Sequence, residues 1–271
     1  MGGGGAPQRG AGGGLLAGRL PGWAGGLVGL AAIIAAWSLL AVTPLAEGGA
    51  IPTPVAVVRQ VVHDGWGFHV RNVGVTTLSA LQGYLWGNLL AVALALLVLL
   101  VPVLESAAVQ VAVVSYCIPL TAIGPIVFIV AGPGSRLPSV ILAAMSVFFT
   151  TVVGCLLGLR AADRASLDLI AVYGGGRWAK LTKVQLIAAL PQLIAALKIA
   201  APAAFLGAII GEYLGGIDTG LGPVITSAQT QLRSAQIWSL ALVSGLVAGA
   251  GYALVGLAGR VLTPWSRGAK P

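Results

Sequence analysis

A chain of 271 residues with 58% hydrophobic and only 8% charged side chains cannot keep a water-soluble surface, because an ordinary soluble domain is about one quarter charged. A net charge of +8 would suit a phosphate-binding face, but the cations bracket long apolar runs, which reads as membrane topology and excludes nucleic acid as a partner. No charge falls between Arg19 and Glu47, Arg71 and Glu105, Glu105 and Arg136, Arg136 and Arg160, Lys183 and Lys198, or Arg233 and Arg260.

A helix needs roughly 20 apolar residues to cross the hydrocarbon core and must satisfy its own backbone there. The apolar runs predict an all-α, polytopic protein with about six transmembrane helices, over 23–43, 72–101, 103–131, 137–160, 186–213 and 236–262. The Gly-rich opening, 1–22, is expected to be a flexible cytoplasmic tail. A cleaved signal peptide is the rival for 1–43, but the run exceeds a typical h-region and no Ala-x-Ala site follows, so an uncleaved helix is expected.

Residues 51–71 open with Ile-Pro-Thr-Pro and then space their apolar positions for a short amphipathic helix lying on membrane lipid. His63 and His69 fall there without an acidic or thiolate set, so they read as solvated residues and no metal site is expected. In the third span, Pro119, Gly124 and Pro125 predict a kink or break. That bend either lines a translocation path with Tyr116 and Thr121 or is a packing kink. Cys117 and Cys155 fall inside spans and read as small packing residues, while Gly154 with Gly158, and Gly207 with Gly211, permit close helix contact.

Lys198, about a third of the way along the fifth span, can snorkel to the nearer surface or face the bundle interior. Near the outer end of that span, Glu212 is an interface residue, a gate element or a group reaching water. Residues 23–265 form the membrane domain and 266–271 a cytoplasmic tail.

With the N-terminus inside, the cytoplasmic segments hold Arg9, Arg19, Arg160, Arg164, Arg177, Lys180, Lys183, Arg260, Arg267 and Lys270. The opposite side holds Arg59, Arg71, Arg136 and Arg233, diluted by Glu47, Asp64 and Asp218, so an N-in, C-in orientation follows. The connection 161–185 is then cytoplasmic. Leu167, Ile170 and Ala171 share one face of a short amphipathic helix running up to Tyr173, Gly174 to Gly176 make a turn, and 177–184 forms a second, basic helix. The plain alternative is an interfacial loop whose cations follow the positive-inside bias.

This segment resembles the cytoplasmic coupling loop of binding-protein-dependent ABC-importer permeases, whose pattern is Glu-Ala-Ala, three residues, Gly, nine residues, Ile-x-Leu-Pro. Asp168, Gly174, Val184 and Leu186 hold matching positions, and Arg177, Trp178 and Pro191 match members of the nitrate, sulfonate and taurine type. Asp168 stands for Glu, Leu169 and Ile170 replace the alanines, and Ile187 occupies the first Pro position. Ile51-Pro52-Thr53-Pro54, Ile118-Pro119-Leu120, Glu212 before Gly220-Leu221-Gly222, and Arg260 with Trp265 extend the resemblance over roughly 23–265.

The resemblance implies a type I ABC-importer permease fold with cytoplasmic coupling helices, multi-pass in the bacterial cytoplasmic (inner) membrane. It implies ABC ATPase subunits that hold ATP and Mg, a second permease (self or paralogue) and an extracytoplasmic solute-binding protein as partners. This chain contains no Gly-x4-Gly-Lys-Ser/Thr phosphate loop, so no ATPase activity, catalytic residue or cofactor of its own is expected. Coupling to the ATPase is assigned to Asp168, which would cap or orient the first coupling helix, to Gly174 at the turn, and to Arg177, Trp178, Leu186 and Pro191. Tyr116, Thr121 and Glu212 are the translocation-path candidates. The implied solute is a sulfonate-, taurine- or nitrate-like anion or a thiamine-precursor-like polar molecule. The altered Leu169, Ile170 and Ile187 suggest pairing with a second, more typical permease. The alternative is an ion-coupled secondary transporter, for which Lys198 is the serious mid-membrane candidate; a membrane-embedded enzyme lacks any recognisable acid, base or metal cluster.

Overall fold

The computed structural model describes residues 22–43, 50–215 and 217–267. The expected tail through residue 21, Glu47, and residues 268–271 of the expected C-terminal tail lie outside them. Every regular element among the described residues is helical.

The chain divides into two units, 1–56 and 57–271. In the first, the Trp37 indole N–H of α1 (Gly22–Leu40) donates to the Pro52 carbonyl of the segment that follows, at 3.1 Å. The apolar stretch of α1, Ala24–Leu40, is shorter than the roughly 20 residues a perpendicular crossing takes. Thr53 Oγ1 accepts from the Ala56 amide at 3.2 Å as the chain enters α2 (Pro54–Asp64), whose first residue is a proline that needs no partner for an N–H.

The amphipathic helix expected over 51–71 ends at Asp64. Gly65, at φ 80, stops it, and α3 (Trp66–Leu100) starts six residues before the expected span. That turn lays the end of α2 against the start of α3 and buries His69, whose Nε2 lies 3.0 Å from the Val61 carbonyl; His63 alone is the exposed histidine of the two. A sequence-local reading of His69 as solvated fails because its cover comes from the preceding helix.

The centre of the second unit is formed by α3, α6 (Leu137–Arg160) and α9 (Leu186–Leu214). The two glycine pairs expected to permit close contact all lie where α6 meets α9: a methyl at Gly154 would sit 2.4 Å from Ala196 Cβ, and one at Gly211 2.4 Å from Ser139 Cα. Close approach of backbones replaces the hydrophobic drive that lipid cannot supply between helices. Gly83 and Gly87 of α3 meet Ala143 and Ala144 of α6 in the same way. One apolar cluster, with Ala95, Val98, Val152, Leu156 and Ala189, fills the end of the bundle near residue 160; a second, with Ala80, Val147, Ala204, Phe205 and Leu240, fills the other. Leucines such as Leu81, Leu85 and Leu89 point outward along α3, as lipid requires and water forbids.

The third expected span is not one helix. Ile118 and Pro119 are extended, and α4 (Glu105–Cys117) meets α5 (Leu120–Ala131) at 87°. At 1.5 Å per residue, pieces of 13 and 12 residues reach only about 20 and 18 Å, so neither crosses about 30 Å of hydrocarbon alone. Four described helices are long and apolar enough to cross, or five if the bent pair counts as one, against the six expected. Cys155 packs in the core as expected, whereas Cys117, at the end of α4 beside the break, is exposed.

Beyond α9, α10 (Leu221–Thr230), a helix with no counterpart in the expected pattern, precedes α11 (Ser234–Leu262). Lys198 sits at the contact of α9 with α11: its ammonium lies 4.2 Å from the Tyr252 ring centroid and its stem passes the bare Gly256. The aromatic face of the neighbouring helix thus receives the charge.

Candidate functional site

The connection after α6 forms a helical hairpin. Its first arm is α7 (Arg164–Val172), and Asp163 is its N-cap: Oδ2 accepts from the Ser166 amide at 3.3 Å, an interaction worth about 1 kcal/mol. The capping role expected of Asp168 therefore belongs to Asp163. A capping carboxylate must precede the first turn, and Asp168 comes after that turn has closed, exposed on the body of the helix.

The arm ends in a Schellman motif. The Gly175 amide donates to the Ile170 carbonyl at 2.8 Å and the Gly174 amide to that of Ala171 at 2.9 Å, with Gly174 at φ 77. The next glycine is needed for a different reason, since a methyl on Gly175 would stand 2.4 Å from Ile170 Cγ2. Gly176 is in ordinary extended backbone with open space around it.

The second arm is shorter than expected. α8 (Arg177–Lys180) passes through a π-turn, Leu181–Gln185, in which the Leu186 amide reaches the Leu181 carbonyl five residues back, and continues into α9. Arg177–Leu214 is thus one 38-residue body, and the arm is the first stretch of the span. Single π-turns inside α-helices are frequent at functional sites. Asp168, Gly174, Arg177 and Trp178 all lie exposed on the hairpin, with Leu169, Val172 and Tyr173 outward beside them. Leu186 and Pro191 lie further along the shaft; Pro191 is half-buried in α9 and lacks the N–H its turn would use. Where the hairpin leaves α6, an ion pair between Arg160 and Glu105 ties the start of α4 to the bundle.

At the opposite end of the bundle Glu212 is 1% exposed. Its Oε2 accepts from Thr76 Oγ1 at 2.8 Å and from the Gly222 amide at 3.0 Å. Thr76 Oγ1 in turn accepts from the Leu221 amide at 2.9 Å, and Asn72 Oδ1 accepts from the Gly220 amide at 3.3 Å. Three successive amides at the start of α10, which a helix leaves without internal partners, are thus received by side chains of α3 and α9. A methyl on Gly220 would touch the Glu212 carboxylate and one on Gly222 its Cβ, so both glycines are required by this closeness.

Tyr116 and Thr121 stand on either side of the α4–α5 break, both exposed, with Tyr116 stacked on Phe149 at 4.8 Å between centroids. Among the described residues no hydrogen bond joins them to each other or to Glu212. Asn72, Thr76 and Asn88 were missed by sequence reasoning; Thr151, which by sequence either lines a polar path or bonds within its helix, instead donates through Oγ1 to Asn88 Oδ1 of α3 at 2.5 Å. A signal existed: Asn72, Thr76, Ser79, Gly83 and Gly87 recur at three- and four-residue spacing and mark the packed face of α3.

A helical bundle with outward leucines, packed through glycines and carrying a capped helical hairpin at one end, defines a multi-pass membrane subunit. Residues 83–268, more than half of the chain, match the family model of the binding-protein-dependent transport system inner membrane component, and the chain belongs to that family. It is 28% identical over 200 residues to a probable ABC transporter permease protein of Haemophilus influenzae, covering 73% of this chain and 79% of that one. It is 24% identical to the formylaminopyrimidine transport permease protein ThiX of Halalkalibacterium halodurans, over 80% of this chain and 86% of the relative. Over 90% of this chain and 88% of the relative, it is 24% identical to the putative aliphatic sulfonates transport permease protein SsuC of Bacillus subtilis. The chain is an ABC-importer permease, a multi-pass protein of the bacterial inner membrane, and not an ion-coupled carrier. As a family member it is a membrane subunit rather than an enzyme, of a kind that works with ATPase and binding-protein partners.

Proposed function

We propose that this chain forms half of a translocation path, paired with a second permease that is a copy of itself or a paralogue, and that it passes a small polar solute inward in the N-in, C-in orientation. The α7–α8 hairpin, residues 161–185, docks on a partner ATPase that holds ATP and Mg, while an extracytoplasmic binding protein delivers the solute. The observation that carries this reading is the hairpin itself. It is closed by its own cap and Schellman bonds, exposes Leu169, Val172, Tyr173 and Trp178, and its second arm is the start of the 38-residue shaft Arg177–Leu214. A partner that pushes on α7 moves a stiff helix, which is how closure of two ATPases could tilt a two-state bundle.

Asp168 and Arg177 are proposed as exposed polar contacts of the ATPase, Trp178 as an apolar one, Gly174 as the turn that aims them, and Leu186 and Pro191 as the part of the shaft that receives the push. Tyr116, Thr121 and Glu212 are proposed to act along or beside the path. The names of relatives, a formylaminopyrimidine transport permease and a putative aliphatic sulfonates transport permease, support a solute of the thiamine-precursor or sulfonate type, taurine among the latter; a nitrate-like anion is proposed on the resemblance of the loop alone.

The test is affinity purification of the tagged chain from gently solubilised membranes, with ATPase activity and solute uptake measured beside a variant carrying Asp168→Ala and Gly174→Val. Co-purification of a separate ATPase, lost or uncoupled in the variant, is expected. Recovery of the parent chain without an ATPase, or uptake that survives ATP depletion, overturns the proposal.

A further inference from the structure

Between the α3–α4 turn and the hairpin lie two hollows of about 490 and 410 Å³. Both are lined by Leu99, Pro102, Leu167 and Gln185, so they form one basin. Arg160, Arg164, Arg177 and Lys180 line it, against the single carboxylate of Glu105. Since Glu105 is already paired with Arg160, no lining carboxylate among the described residues balances Arg164, Arg177 and Lys180. Leu159, on the wall of the 410 Å³ hollow, also lines a crevice of about 250 Å³ between α3, α6 and α9. Every residue of that crevice is apolar, including Ala95, Leu96, Cys155, Leu190 and Leu193.

A cationic basin and an apolar slot that share a wall ask for a ligand with an anionic head and a hydrocarbon tail. At the end of a membrane bundle that ligand is at hand. Cationic hollows between transmembrane helices suit anionic lipid headgroups, and the Trp178 indole on the basin wall is the side chain expected at headgroup depth. An acidic segment of a partner protein would satisfy the basin but has no reason to enter the slot. A zwitterionic lipid would bring its own cation among three others.

We propose that this basin and crevice bind one anionic phospholipid, its phosphate among Arg164, Arg177 and Lys180 and an acyl chain in the crevice beside Leu159. Arg177 and Trp178 are also proposed above as ATPase contacts, so the site requires that lipid and ATPase share these side chains in the complex.

Native mass spectrometry of the detergent-purified complex, with phosphatidylglycerol or phosphatidylcholine of matched acyl chains added, tests it. The parent should retain phosphatidylglycerol about ten-fold or more over phosphatidylcholine. Arg177→Gln with Lys180→Gln should abolish that preference, while Arg233→Gln, an exposed cation at the opposite end, should leave it intact. Leu193→Phe, which narrows the crevice without touching a cation, should lower retention as well, so the site does not depend on one variant folding. Equal retention of the two lipids, or an unchanged preference in the double variant, overturns the proposal. So does displacement of the lipid by equimolar glycerol phosphate, which would mark a site for the free anion. Lipid retained by the isolated chain but excluded whenever an ATPase is bound would also overturn it, by giving the basin to the ATPase.

Discussion

None of the nine residues of α7 is buried, and the hairpin is held by bonds between residues at most five apart; at the other end of the bundle, Glu212 reaches across 136 positions to Thr76 and is almost wholly enclosed. The first arm and its turn owe their shape to their own backbone, so they hold together without burial in the bundle and can act as a stiff contact. The Glu212 joint depends on three helices at once, so α10 shifts only if several hydrogen bonds are given up together. Under the proposed function, transmission and retention fall at opposite ends of one body.

The sharpest way to break the contrast is at the joint. Glu212→Ala leaves the Gly222 amide without its acceptor and hands the Thr76 hydroxyl to the Asn72 carbonyl, 3.2 Å away, and should destabilise the purified chain by about 1.5–3 kcal/mol, the loss of a hydrogen bond to a charged group. Thermal unfolding in detergent reads this, and ATPase co-purification should be unaffected. Glu212→Gln can keep both bonds through its amide oxygen and should lose less than half as much.

At the hairpin the expected effects are smaller and local. Gly174→Val forces a β-branched residue to φ 77 and should cost at least about 1–2 kcal/mol of turn stability, with weaker ATPase co-purification and little change in bundle unfolding. Gly176→Ala, in extended backbone, should be neutral in both measurements. Next in size, Asp163→Ala should remove about 1 kcal/mol from α7, seen as faster amide exchange at Ser166, whereas Asp168→Ala should leave that exchange unchanged. Apart from the neutral controls, the smallest effect is expected at the Glu105–Arg160 pair, where Glu105→Gln should change unfolding by less than about 1 kcal/mol, and less still in high salt.

The hairpin was legible because its information is local. The run of glycines, the amphipathic spacing before it and the basic residues after it are adjacent in sequence; the capping residue differs by five positions, and the second arm is shorter than expected because it runs on into α9. Glu212 was visible as a carboxylate near a span's end, and Gly220-Leu221-Gly222 was quoted with it, but the partners on α3 were not visible, since Asn72 and Thr76 lie on another helix and look like ordinary polar residues. α10 was illegible for a related reason: its first amides are satisfied from α3 and α9, so it carries no side-chain cap of its own. The break at Ile118–Pro119 was signalled by proline, yet its 87° angle was not, because a missing N–H permits a bend without setting its size.

By itself the sequence determined that the protein lives in a membrane, where its apolar runs begin and end to within several residues, and that a glycine turn closes a helical hairpin. Each of these follows from solvent transfer and backbone stereochemistry, which act on neighbours along the chain. Only the tertiary structure decided which glycines let α6 and α9 touch, that α8 and α9 are one shaft, and that Glu212 holds the start of α10. Those outcomes turn on distances between segments far apart in sequence, and close packing of backbones and partnering of buried polar groups are set only when the helices meet.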